Sequence, residues 1–397
     1  MRQIDVQWAG WFLHTPHRSL RWCWQIERTN LNMKICRIEF LILLGAGWLV
    51  AGCATHSKTG LAPARAEQIE NTLVRHRLKF SPELEARILA LDPTHVSARD
   101  IQEVLSQTPA PRIIKFRGGI NIRSFYPVFK RMTSFSEFLM GMGYPSLSLT
   151  NLDDGSYAYS CYEDSAKMAG LIAWFYEREG LRPVIVGHSQ GGMQAIKILH
   201  RFADHAAKPI PLWNPLTWQR EHASEFTDPL TGEKRQVNSL VLPYVSAVGA
   251  GGLTRVLPNQ WEMTLKLRSI PDSVEEFTGF CKERDILGGD YLGYGSANLF
   301  KATGRAKVRN VWLPASYSHG AMPETSHLLK SQAIKDWLNN YQPSPEPEST
   351  PKLDVQFDTD TKHILWAAEV WYSLKKHWVL ELQNYLRAQR TKPNARG

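Results

Sequence analysis

Ser189 is the residue whose sequence surroundings most favour chemistry. It is the centre of a Gly-x-Ser-x-Gly pattern, residues 187–191, which follows the apolar run 183–186 and precedes a helical pattern. So sharp a turn needs glycine on both sides, because a Cβ atom there would meet the neighbouring strand or helix. The turn lifts the serine hydroxyl out of the sheet and directs the next backbone N–H to the same point. The pattern therefore predicts a nucleophilic serine.

A serine hydroxyl needs a base to attack an acyl carbon, and the usual base is a histidine that a carboxylate orients. After such a turn the partners are expected in the chain order Ser, acid, His, following later strands. His319 comes shortly after the last predicted strand and is the predicted base. His327 falls within the next helical pattern, which favours a solvated or packing role.

The predicted acid is Asp285, because it follows the strand that ends near residue 280. Asp290 is the alternative acid, and Glu283 is interpreted as a solvated side chain. The transition state also needs N–H donors that stabilise the developing oxyanion. We expect one donor from the backbone of Gln190 and a second from the segment 118–120.

The second oxyanion donor is expected at Gly119 or Ile120, although a glycine pair also serves as an ordinary tight turn. His188 lies beside the serine, and on such a turn it points elsewhere. Its predicted role is that of a packed neighbour.

Strands and helices alternate along the chain, which predicts right-handed crossovers and a parallel sheet. Strands are predicted at residues 112–116, 145–149, 183–187, 210–213, 274–280 and 308–313. Helices are predicted at residues 63–77, 82–91, 98–106, 124–141, 161–179, directly after Ser189, and at 325–341. Capping boxes are predicted at Ser97 and Ser160, with Gly180 as a helix stop.

The alternation is interrupted at about residues 214–270, and so long an excursion is usually an insertion with a function. We interpret it as a lid or cap. Its apolar residues suit either an acyl-chain pocket or a cap that only completes the core: Val241, Leu242, Tyr244, Val245, Leu253, Val256 and Leu257.

The carboxy-terminal region begins with a proline-rich linker, 342–360, after which an amphipathic helix is predicted at 361–397. From residue 361 onward the chain has seven Lys/Arg and two acidic residues. A basic amphipathic helix can lie on anionic lipid. Alternatively, it docks onto the main domain with its tryptophans as packing.

The amino-terminal region has a short basic segment after Met33, an apolar stretch of about a dozen residues and the small residues that precede Cys53. This is typical of a secretory signal peptide. The stretch Val-Ala-Gly-Cys at 50–53 resembles the lipobox of bacterial lipoproteins. The resemblance implies cleavage before Cys53, a diacylglycerol on its thiol and anchoring in a membrane. Ala54 rather than Asp favours the outer membrane, facing the periplasm. A buried apolar helix that ends in Cys is the alternative.

Residues 1–32 are interpreted as an upstream extension, with the true start at Met33. Residues 53–110 are predicted to form a tether and a layer of amino-terminal helices. Cys161 and Cys281 are the thiols that remain in the mature chain, and in an oxidising compartment they could pair.

Composition limits the classes of partner and cofactor. The formal charge of +9 comes without a long Lys/Arg block, which predicts no nucleic-acid binding. The phosphate-loop and zinc-site patterns do not occur, so no cofactor and no metal are expected. Protein partners are not indicated by any motif.

The Gly-His-Ser-Gln-Gly turn is similar to that of bacterial lipases and esterases, and residues 111–341 resemble an α/β-hydrolase. The resemblance implies an α/β-hydrolase fold, with a mostly parallel central sheet flanked by helices. It assigns the nucleophile to Ser189, the acid to Asp285 and the base to His319. One position departs from the family, because Arg117 stands where lipases often have histidine before the glycine of the oxyanion loop.

The expected function is that of an envelope-anchored serine hydrolase that cleaves acyl esters, with an acyl-ester or lipid substrate. Two alternatives stay open at the level of sequence. One is a binding or scaffolding protein that retains the fold without turnover, since fold does not imply activity. The other is an acyltransferase that uses the same triad.

Processing at Cys53 can be tested by intact-mass analysis of the membrane-bound protein. We expect a chain that begins at Cys53 and carries the added mass of its lipid. A mature protein that contains any peptide from residues 1–32 would contradict the assigned start and cleavage site.

Overall fold

The structure is a computed structural model that describes residues 60–71, 73, 78–119, 129–252, 258–282, 284–285, 287–288, 299–344 and 361–391. The predicted signal peptide, Cys53, Ile120 and the two other candidate acids, Glu283 and Asp290, lie outside the described residues. All described residues belong to one compact unit of the chain.

A five-stranded sheet, with all strands parallel, forms the centre of this unit. In spatial order and in chain order its strands are β1 (Ile113–Phe116), β2 (Val184–His188), β3 (Leu242–Val248), β4 (Val274–Lys282) and β5 (Lys307–Leu313). Because the strands are parallel, their carboxyl ends lie along one edge of the sheet. The predicted parallel sheet is confirmed.

Helices cover both faces of the sheet. They are α1 (Pro63–Glu70), α2 (Pro82–Ala90), α3 (Ala98–Glu103), α4 (Phe129–Gly141), α5 (Ser165–Glu179), α6 (Gln190–Ala203), α7 (Gln332–Asn340) and α8 (Ile364–Thr391). Short 3-10 helices lie at Leu105–Gln107, Ser146–Ser148, Val237–Ser239, Pro258–Met263 and Ser326–Lys330. Small two-stranded pairs join Trp213–Asn214 to Gln219–Arg220, Glu225–Thr227 to Lys234–Gln236, and Ser269–Ile270 to Lys301–Ala302.

Two hydrophobic clusters, one on each face, hold the layers together. Side chains alternate between the faces of a strand, and β2 follows this rule. Val184 and Val186 belong to the cluster with α2, α4, α7 and α8, whereas Ile185 belongs to the cluster with α5 and α6. A strand buried on both faces must be apolar throughout, which explains why the run before Ser189 has no polar alternation.

The predicted helix ends are confirmed at two positions and wrong at a third. Ser97 and Asp100 form the predicted capping box of α3, and Gly180 ends α5 with a φ of 81°. The predicted capping box at Ser160 is wrong. Helix α5 begins at Ser165, where the Asp164 side chain accepts a hydrogen bond of 2.7 Å from the Lys167 N–H.

The strand predicted at 145–149 is wrong, because Ser146–Ser148 is a 3-10 helix. The alternation of serine and leucine is typical of a strand and led to the prediction. In the structure, however, Leu149 is buried while Leu147 is 41% exposed. Both leucines would lie on one face of a strand. The outer side of β1 instead carries a single bridge between Phe116 and Tyr159.

The predicted lid must also be corrected. Of the strand predicted at 210–213, only Trp213 lies in a strand, and that strand, Trp213–Asn214, pairs outside the central sheet. The next central strand is β3, within the segment 214–270 that was assigned to a lid. Leu242, Tyr244 and Val245 are therefore core residues between β2 and β4, not lining of a lid. Leu253, Val256 and Leu257 lie outside the described residues.

The carboxy-terminal helix α8 docks onto the sheet, as one of its two predicted alternatives proposed. Its tryptophans Trp366, Trp371 and Trp378 are fully buried. The Trp378 ring packs at a tilt of 58° against Tyr144, with the ring centroids 4.9 Å apart, and its Nε1–H donates to the Pro109 carbonyl at 2.8 Å.

Two basic residues in the middle of α8, Lys375 and His377, are buried. Lys375 is buried and donates at 2.6 Å to the carbonyls of Val96 and Asn339, and burial lowers its pKa to about 8. Burial raises the pKa of Glu276, but hydrogen bonds from His377 and Lys376 outweigh it and leave that pKa at about 2. The hydrogen bonds and ion pairs of Lys375, Lys376 and His377 therefore attach α8 to the rest of the protein. Among the described helices, none is long and apolar enough to cross a membrane.

Removing the Trp378 side chain should show that α8 is part of the core. We expect Trp378→Ala to lower the free energy of unfolding by about 3–5 kcal/mol, through the cavity and the lost hydrogen bond. Trp312, which is 38% exposed on β5, is the matched control and should lose about 1 kcal/mol or less. Equal losses in urea denaturation of the two variants would contradict the docking of α8.

Candidate active site

Ser189 lies at the sharp turn between β2 and α6. Its backbone has φ 56° and ψ −126°, a conformation that an L-residue adopts only under strain. Glycines allow the turn to close. A Cβ at Gly187 would meet the backbone of Gly191, and a Cβ at Gly191 would meet the carbonyl of Phe116 on β1. The two flanking glycines are therefore required by packing, as the sequence predicted.

A chain of hydrogen bonds joins the three residues predicted as a triad. His319 Nε2 lies 2.9 Å from Ser189 Oγ, and His319 Nδ1 lies 2.8 Å from Asp285 Oδ2. Asp285 follows β4 and His319 follows β5, so parallel strands bring both to the edge where β2 ends. We assign the proton on Nδ1 from this network, because a carboxylate can only accept.

Asp285 is 5% exposed and has a second hydrogen bond, from the Gly288 N–H to Oδ1 at 3.0 Å. Burial raises the pKa of Asp285, but the hydrogen bond and charge of His319 outweigh burial, so the net shift is downward. A lowered pKa stabilises the fold above the pKa of the unfolded chain. This contribution is lost as the pH falls through the lower pKa of the folded protein. The carboxylate therefore stays ionised at neutral pH.

Gly249 packs against the imidazole ring of His319. It follows β3 with a φ of 57°, and a Cβ there would lie 2.8 Å from His319 Cε1 and 2.9 Å from Nδ1. Any larger residue would displace the ring from Asp285. Sequence patterns did not single out this glycine, because its neighbour is distant along the chain.

His188 has a positioning role that the sequence did not reveal. Its Nε2 lies 2.6 Å from the carbonyl oxygen of His319, and the two rings are 5.4 Å apart between centroids. Burial lowers the pKa of His188 to about 3, so the ring is neutral and donates its Nε2–H to that carbonyl. The residue beside the nucleophile thus holds the backbone of the base.

The loop after β1 lies directly over Ser189. A Cβ at Gly118 would be 3.1 Å from Ser189 Cβ and 3.5 Å from its Oγ. Gln190 is the first residue of α6, where backbone N–H groups lack partners within the helix. The loop therefore contacts the serine at Gly118, and Gly119 packs on the side chain of Gln190, while the predicted donor Ile120 lies outside the described residues.

Other candidate residues do not join the site. His327 Nε2 lies 3.2 Å from the Lys362 carbonyl, away from the triad. Cys161 and Cys281 are buried thiols that do not form a disulfide with each other. Within the described part of the chain, no group of three or more His, Cys, Asp or Glu residues could hold a metal ion.

The arrangement can perform nucleophilic acyl chemistry. His319 can take the proton of Ser189, Asp285 can stabilise the imidazolium that forms, and the helix N-terminus faces the point where negative charge develops. Comparison with known protein families, with curated proteins and with solved structures gives no match for this chain.

Asp285→Asn tests the orientation of the base. An asparagine in this place would favour the tautomer with its proton on Nε2, where it cannot accept from Ser189. We expect kcat for any acyl transfer that begins with attack by Ser189 to fall by about 10⁴-fold. The matched control is Asp228→Asn, because Asp228 is equally buried but bonds Tyr176 and Arg235. Loss of activity in both variants, or in neither, would contradict the assigned role.

Proposed function

We propose that this protein is a serine hydrolase that cleaves carboxylic acyl esters. The observation that carries the proposal is the Ser189–His319–Asp285 chain, with both contacts within 2.9 Å. A merely structural site would not require this chain of hydrogen bonds on a strained turn between a strand and a helix. Its strain of about 1–3 kcal/mol needs a compensating function.

The proposal includes an α/β-hydrolase fold for residues 111–341. In support, the sheet is parallel, helices lie on both faces, and the three residues follow three different strands in the order Ser, acid, His. The missing strand at 145–149 and the arginine at position 117 are departures from the pattern. They affect the edge of the sheet and the oxyanion loop, and leave the triad unchanged.

The proposed reaction has two steps. Ser189 Oγ attacks the carbonyl carbon of the ester while its proton passes to His319 Nε2, and the carbonyl oxygen becomes an oxyanion near the Gln190 N–H. The C–O bond then breaks, and the proton moves from His319 to the departing alcohol. In the second step water, deprotonated by His319, attacks the acyl-enzyme and releases the acid and Ser189.

We further propose that the enzyme is anchored in the cell envelope through a lipid on Cys53. Six residues lie between Cys53 and Gly60, and the seven residue steps span at most about 25 Å. At the end of this span, the Leu61 N–H donates to the Leu216 carbonyl at 2.7 Å. Trp218, two residues further, stacks on Tyr159, which bridges the end of β1. The anchored end would therefore keep the site edge of the sheet near the membrane, where acyl esters are abundant.

Ser189→Ala tests the proposed function directly. Hydrolysis of a p-nitrophenyl ester should fall by at least about 10³-fold, and labelling by a fluorophosphonate should disappear, because both need Oγ. Ser136→Ala is the control, since Ser136 is buried in α4 and bonds only the Met132 carbonyl among the contacts described. Undiminished hydrolysis in Ser189→Ala, or a wild-type protein that neither reacts nor turns over, would overturn the proposal.

A further inference from the structure

The segment 159–163 contacts both parts of the candidate site. One part is strand β1 with the loop at residues 118–119, and the other is helix α6, which begins after Ser189. At one end the segment follows β1 in a strand-like manner. The Tyr159 N–H donates to the Lys115 carbonyl at 2.8 Å, and the Arg117 N–H donates to the Tyr159 carbonyl at 3.1 Å. These bonds fix the segment to the strand that leads into the loop.

At its other end the same segment is attached to helix α6. The Gln194 side-chain amide donates to the Glu163 carbonyl at 2.7 Å, and the Glu163 carboxylate pairs with Lys167 at 3.2 Å. Because Gln194 lies on the first turns of α6, the segment is fixed to the helix that begins at the nucleophile. It therefore bridges the strand before the oxyanion loop and the helix after Ser189.

Between these attachments, Tyr162 reaches the oxyanion loop. Its hydroxyl donates to the Gly119 carbonyl at 3.2 Å. Gly119 follows Gly118, which lies against Ser189, so this bond anchors the loop close to the serine. The N–H of Gly119 belongs to the planar peptide that joins it to Gly118, and anchoring Gly119 limits the movement of that N–H.

Cys161 acts on the same loop through Gln190. Its thiol lies 3.6 Å from Gln190 Oε1, and this oxygen in turn packs against Gly119, where a Cβ would overlap it. Gln190 is 5% exposed, and its Nε2 has no hydrogen-bond partner among the described residues. The residue whose backbone faces the oxyanion thus also uses its side chain to support the opposite donor loop.

We infer that Tyr162 is a positioning residue that holds Gly119 beside Gln190, so that the backbone N–H groups of these two residues reach one oxyanion. Cys161 supports this arrangement by orienting the Gln190 side chain. The inference rests on the proposed function, because an oxyanion hole matters only if Ser189 attacks an acyl group. Removing a donor of this kind lowers kcat by about 10²–10³-fold, and misplacing one should lower it less.

Tyr162→Phe removes the hydroxyl alone and is the main test. In the full-length protein we expect kcat for a p-nitrophenyl ester to fall about 10-fold or more, with KM within about twofold. The affinity for a boronic acid, whose adduct with serine places an anionic oxygen in the same pocket, should fall by a similar factor. Labelling by a fluorophosphonate should persist, because Ser189 and His319 are unchanged.

Tyr144→Phe is the matched control. The Tyr144 hydroxyl also donates to a backbone carbonyl, that of Pro111, at 2.5 Å, but at the opposite edge of the sheet. This variant should lose stability and keep kcat. The inference is overturned if Tyr162→Phe keeps wild-type kcat, if only its KM rises, or if it loses activity only in proportion to folded protein, as the control would. An inactive wild-type protein would instead contradict the proposed function.

If Tyr162→Phe does not fold, two substitutions of Cys161 test whether the segment 159–163 positions the two donors. Cys161→Ser keeps a hydrogen-bond donor to Gln190 and should retain most of kcat. Cys161→Ala removes the donor and should lower kcat several-fold at an unchanged KM. Equal kcat values for the alanine and serine variants would overturn the role of Cys161 and, with it, the coupling of the two donors.

Discussion

The strained backbone of Ser189 is the constraint on which the rest of the site depends. A positive φ at a serine between a buried strand and a helix exists only where the surroundings hold it. Glycines at 187 and 191 let β1 and α6 approach within contact of the turn. The same approach places the loop after β1 over the hydroxyl. The conformation of the serine turn and the position of the loop over it are therefore two results of one close contact.

Parallel strands supply the other half of the site. Because β2, β4 and β5 run in the same direction, the residues that follow them meet at one edge, although Ser189 and His319 are 130 residues apart. The strand β3 lies between β2 and β4 and contributes Gly249, against which the imidazole packs. The sheet thus determines the spacing of the three residues, and short loops determine their orientation.

Buried polar side chains tie the peripheral elements to this framework. Arg182 of the loop before β2 pairs with Glu381 of α8, and Arg309 of β5 pairs with Glu369. Removing one partner would leave a buried charge uncompensated, which is more costly than the pair is favourable. The two acidic residues of α8 therefore serve its docking. His188 gives a similar example near the site, because its neutral ring is useful only as a donor to the His319 backbone.

Local patterns in the sequence determined the parallel sheet, the serine turn, most helices and the choice of Ser189, Asp285 and His319. These depend on near neighbours: glycine flanks, apolar runs and the order of elements along the chain. Other features depended on contacts between distant segments. Leu242 and Val245 look the same in a lid and in a central strand, and only pairing with β2 and β4 distinguishes the two. Tertiary structure likewise decided the docking of α8, the contact of Gly249 with His319 and the hydrogen bond from Tyr162 to Gly119. No rule of sequence spacing links residues so far apart in the chain.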